Sequence, residues 1–119
     1  MNHKEFLEIV QADPNFKDFL IHEAKLISRA NTNEIEWHID SLRKNFYLWR
    51  ESFQLAALVD YLDTHEVHIS TYYNIRERWN FEIENLKGSY HRHNNYSSRP
   101  NATRAGILKA LSLLKTEIN

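Results

Sequence analysis

Residues 67–88 read VHISTYYNIRERWNFEIENLKG, and the fold class turns on how they are read. At helical spacing, Tyr72, Ile75, Trp79, Ile83 and Leu86 form one apolar line in steps of 3, 4, 4 and 3. That line stops at Gly88, a residue type common just past a helix end. The opening VHISTYY is instead β-branched and aromatic, which is strand composition. The apolar line continues to Gly88, and a lone strand would lack a partner. The spacing therefore predicts a helix, introduced by Asp63 and Glu66 at the interval of a capping pair.

The flanks favour helices too. Upstream, Ile35, Ile39, Leu42, Phe46, Trp49, Phe53 and Ala56 alternate steps of 4 and 3 with no Gly or Pro between them. One long central helix from about 34 to 62 is expected, a break near Ser52 being the alternative. Phe6, Leu7 and Val10 mark a first helix. Asp13-Pro14 supplies an N-cap and a first helical residue for a second, which carries Phe16, Phe19 and Leu20. Downstream, residues 89–100 (SYHRHNNYSSRP) hold no aliphatic side chain and read as a loop. Ile107, Leu111, Leu114 and Ile118 then predict a last helix, capped by Asn101 or Arg99, in which Gly106 marks close helix contact. The expected fold is a single all-α domain over 1–119. It is a compact bundle of about five helices, with one long central helix and a polar, basic loop before the last.

Composition removes several function classes. The 119 residues include no Cys, two Gly and two Pro. A disulfide framework, an Fe–S cluster, a thiolate zinc site and a Cys nucleophile are excluded. No Walker loop or dinucleotide-binding fingerprint occurs. No run of about 18 apolar residues exists, so no membrane partner is expected. The start, MNHKEFLEIVQADP, lacks the apolar core of a signal peptide, which points to a cytoplasmic location. No cofactor and no metal are expected.

The net charge of −1 conceals a split. Residues 1–84 hold fifteen acids and nine bases, whereas residues 85–119 hold one acid and six bases. Such asymmetry hints at an anionic partner. Tyr90, His91, Arg92, His93, Arg99 and Arg104 mix cations with planar rings, the residue types that pair phosphates and stack on bases. A phosphate, nucleotide or RNA site is therefore expected around 89–104, at the N-terminus of the last helix. The competing expectation is that the basic segment packs on the acidic part of the chain and cancels it.

Seven histidines raise the question of chemistry. His65 and His68 lie three apart, not at the four of the His-Glu-x-x-His zinc pattern. A metal-independent ribonuclease could use His91 or His93 with Arg92, but no His follows Arg92 beyond His93. No catalytic set is assembled in the sequence. A second apolar line, Trp37, Leu48, Leu55 and Leu62, runs opposite the main line of the central helix. The reading is thus a non-enzymatic binding protein of the inhibitor, adaptor or immunity kind. That line would meet another protein or a second copy of the chain. Nucleotide or RNA binding is the alternative, and a ribonuclease the third choice.

Overall fold

Alternation, not helical spacing, governs residues 68–74 and 78–85. The computed structural model describes residues 2–28, 35–76 and 78–118, and the side chains of all of these except 24–28, 35–36, 38, 91–94 and 116–118. Its elements run α1 (His3–Ala12), α2 (Pro14–Ser28), α3 (Ile35–Phe46), α4 (Glu51–Thr64), β1 (His68–Asn74), β2 (Arg78–Asn85), β3 (Gly88–Tyr96) and α5 (Arg99–Ile118). The strands form an antiparallel sheet in the order β1-β2-β3. The expected all-α bundle is therefore corrected to an α+β fold.

The sheet follows from side chains two apart. Ile69, Thr71 and Tyr73 lie opposite Ile83, Phe81 and Trp79, and Ile83 lies opposite Tyr90 on β3. These positions share one face, because successive strand residues point to opposite sides. Asparagines set both turns: Asn74 Oδ1 accepts from the Arg76 amide at 2.9 Å, and Asn85 Oδ1 from the Lys87 amide at 2.8 Å. Ile75 and Leu86, placed above in a helical line, sit exposed at those turns. Of residues 89–100, read as a loop, 89–96 belong to β3 and 99–100 to α5, and β2, paired with β1, removes the objection to a lone strand.

Asp63 and Glu66 close α4 and do not open another helix. Glu66 has φ 58°, and the Val67 amide donates to the Leu62 carbonyl at 3.0 Å. That left-handed residue followed by a bond back into the last turn is a helix C-terminal motif. The long central helix is likewise two. Between α3 and α4 the chain turns at 47–50, a few residues before the alternative near Ser52. The Phe46 carbonyl at the end of α3 accepts from the Trp49 amide at 3.2 Å and from the Gln54 side-chain NH2 at 2.5 Å. After the turn the phase of burial changes. Leu42 and Phe46 are buried on α3, but on α4 the buried residues are Gln54, Leu55, Leu58, Tyr61 and Leu62, while Phe53 is exposed.

Helix α5 joins the layers. A Cβ on Gly106 would lie 3.1 Å from Ile69 Cγ2 and 3.3 Å from Phe81 Cγ. Glycine therefore lets the helix backbone settle onto the inner sheet face; the close contact is with strands. Ile107, Leu111 and Leu114 belong to the core that α5 shares with α1, α2 and α4. The α2 start at Asp13-Pro14 is as expected, with Asp13 Oδ1 accepting from the Asn15 amide at 2.8 Å.

Candidate functional site

The N-terminus of α5 gathers a cluster of polar side chains. Ser98, not Asn101 or Arg99, is the cap: its hydroxyl accepts from the Asn101 amide at 3.2 Å. The Asn101 side-chain amide donates to Ser97 Oγ at 2.8 Å. One turn on, Arg104 enters the interior with its side chain 9% exposed. Its guanidinium donates to the Glu51 carboxylate, to Asn101 Oδ1 and, at 3.3 Å, to His3 Nδ1. His3 Nε2 meets Gln54 Oε1 at 2.5 Å.

These contacts assign the imidazole. Gln54 gives its NH2 to the Phe46 carbonyl, so its oxygen faces His3 and must accept. His3 then carries its proton on Nε2, and Nδ1 accepts from Arg104. Both ring nitrogens are committed to the protein. The result is a histidine, a carboxylate and an arginine side by side, residue types that serve acid–base chemistry on phosphates. Yet the arginine is neutralised by Glu51, and the histidine has no nitrogen turned outward. The arrangement ties α1, α4 and α5 together. Nothing in the sequence pointed to His3, Glu51 or Gln54, because they meet Arg104 only through the tertiary fold.

The residues expected to bind an anion are spread out. Tyr90 stacks on Phe81 at 6.3 Å between ring centroids, and the Lys109 ammonium lies 4.7 Å over it. The Arg99 guanidinium lies 4.6 Å over the Trp79 ring. In the register, His91 is opposite Glu82 and Arg92 opposite Phe81, so these two positions belong to opposite faces of the sheet. The side chains of His91, Arg92 and His93 lie outside the described residues. No group of three or more His, Cys, Asp or Glu able to hold a metal occurs among the described residues.

The expected protein-interface line is divided by the turn at 47–50. Trp37 is 67% and Leu48 82% exposed, whereas Leu55 and Leu62 are buried. Leu55 nevertheless reaches a groove of about 600 Å³ between α4 and the start of α5. Its wall is Leu55, Ala56, Val59 and Pro100, with Glu51, Asp60 and Arg99 among the polar residues that border it. Phe53, exposed on α4, stands one turn before Ala56. Among the described residues no helix is long and apolar enough to cross a membrane. The chain matches no protein-family model, no curated protein and no solved structure.

Proposed function

We propose that the protein acts by binding another protein, whose apolar segment docks in the groove between α4 and α5. The groove itself carries this reading: an apolar wall with a few charged groups at its border is the usual form of a recognition site. Phe53 extends the apolar surface beyond it, and exposed aromatics often anchor interfaces. A role of the inhibitor or adaptor kind fits such a surface, and the absence of cysteine fits a cytoplasmic setting. Nucleotide or RNA binding draws less support, since Arg104 is occupied by Glu51 and Arg99 lies against Trp79.

The test is affinity capture from the native host with the wild-type chain and with Val59→Glu, which places a charge in the groove wall. At least one protein should be retained by the wild type and lost with the variant. Identical captured sets, or capture of RNA alone, would defeat the reading. Circular dichroism of the variant confirms that the fold survives.

A further inference from the structure

The rims of the groove between α4 and α5 select the shape and charge of what can dock there. On α4, Ser52, Ala56 and Val59 fall within an arc of about 60° at 100° per residue, so they form one stripe. Glu51 and Asp60, nine residues apart, stand on opposite sides of it. Glu51 is on the side of α5, where Arg104 takes its carboxylate. Asp60 is on the far side, exposed, with exposed Phe53 two turns before it. The near rim is the first turn of α5, with Arg99, Pro100 and Thr103.

Hydrogen bonding and charge then narrow the occupant. The α4 backbone is bonded within its own helix, and the Thr103 hydroxyl donates to the Arg99 carbonyl at 2.9 Å. The Asn101 and Ala102 amides are bonded to Ser98, and Pro100 has no amide proton. An extended segment laid in the groove would bury N–H and C=O groups with almost nothing to meet them. A helical segment arrives with its backbone already bonded. Among the described residues neither Asp60 nor Arg99 has an ion-pair partner, Arg99 lying over Trp79. The far rim stays acidic beyond Asp60. Glu23 of α2 is held above its ordinary 4.5, chiefly by burial and against the pull of His22, and the charge of Asp60 adds to the rise. Resting on the reading of the groove as the docking site, we infer that the partner segment is an amphipathic helix, with a basic side chain toward Asp60 and an acidic one toward Arg99. From Glu51 to Asp60 the groove runs about 14 Å along α4, the length of nine or ten helical residues. Apolar side chains at i, i+3 or i+4, and i+7 fill that length, the helix-in-groove mode of recognition. The two flanking charges fix the direction in which the helix lies.

The test is selection from a displayed library of random peptides of about sixteen residues, long enough to form a helix, against the full chain. Counter-selection against Val59→Glu keeps only peptides that need the groove. Survivors should carry the apolar stripe, with Lys or Arg on one flank and Asp or Glu on the other. A synthetic survivor should gain helical circular dichroism on binding. Asp60→Lys should weaken it about tenfold, which is about 1.4 kcal/mol, and changing the peptide's flanking base to Glu should recover that loss on the variant. Survivors that bind in extended form, that lack the pair of flanking charges, or that are indifferent to Asp60→Lys overturn the inference and leave the groove as a docking site. A library that yields no peptide sensitive to Val59→Glu overturns it too. Affinity capture with Val59→Glu then decides separately whether the groove holds a protein, so the two readings can fail apart.

Discussion

Arg104 and Tyr61 are both enclosed, and they are enclosed by opposite means. Tyr61 is buried by its ring, which meets Phe19 edge-on at 5.6 Å and His65 at 4.7 Å, while its hydroxyl has no hydrogen-bond partner among the described residues. Arg104 is buried by its head group, which Glu51, Asn101 and His3 surround, leaving only Nε without a bond. Apolar area alone carries a phenol into a core, but a charge goes inside only with partners. Arg104 therefore constrains where α1, α4 and α5 sit relative to one another, and Tyr61 constrains only packing. The groove proposed for a partner is bordered by Glu51, so the clasp also fixes one end of that groove.

The largest effect should come from breaking the clasp on one side only. Arg104→Ala, or Glu51→Ala, should lower stability in urea by about 3 kcal/mol, with Glu51→Ala toward the lower end because its carboxylate is 45% exposed. Removing both, as Arg104→Met with Glu51→Leu, should cost clearly less than the sum, since no buried charge is left alone. Additive losses would show that the pair does not act as a unit.

Next in size is an alkaline transition owed to Tyr61. Burial pushes its hydroxyl from an ordinary value of 10.0 up to about 12, and the negative charges of Asp18 and Asp13 add to that. The folded state then holds this proton after the unfolded chain has released it. Stability is untouched below pH 10 and falls as pH climbs from 10 toward 12, by on the order of 3 kcal/mol in all. Circular dichroism followed together with phenolate absorbance measures this, and Tyr61→Phe should remove its share of the step. At neutral pH the same substitution should be a gain of about 1 kcal/mol, because it deletes an unsatisfied buried group. A loss would mean that the hydroxyl has a bonding partner after all, and the contrast with Arg104 would narrow.

The same contrast explains what could be read in advance. Contacts set by local spacing were legible: Phe6 and Val10, the cap at Asp13-Pro14, and the line Ile107, Leu111 and Leu114. The sheet was hidden by coincidence. Trp79 and Ile83 are four apart, so they satisfy a helical repeat and a strand alternation equally. Phe81 was the discriminating residue, buried between them, and Ile75 and Leu86 fitted the helical line only because hydrophobic residues happen to occupy the turns. Arg104 stood out as a cation near a helix start, but two of its partners, Glu51 and His3, lie 53 and 101 positions away, and no spacing encodes that. The line Trp37, Leu48, Leu55 and Leu62 assumed an unbroken helix, and the turn at 47–50 divided it into an exposed half and a buried half.

The smallest effect belongs to the surface counterpart of the clasp. At the end of α4, His68 Nδ1 lies 2.8 Å from Asp63 Oδ1 and Nε2 lies 3.4 Å from Glu66 Oε2, all three side chains being exposed. The hydrogen bond to Asp63 is the main cause holding the imidazole's pKa above its ordinary 6.5, with Glu66 adding to it. Here the sign is that of a cation gaining partners. The stabilisation is fully present below the unfolded value and is lost as pH rises through the folded one. Solvent screens these charges, so the gain in stability should be slight, and the sensitive readout is a histidine titration followed by NMR. Asp63→Asn should return the His68 midpoint toward 6.5, and Glu66→Gln should move it less. Equal shifts from the two variants would mean that a diffuse field, not the short bond to Asp63, sets the titration. Exposed and buried clasps would then differ in kind as well as in size, because the exposed one would no longer depend on the placement of any single partner.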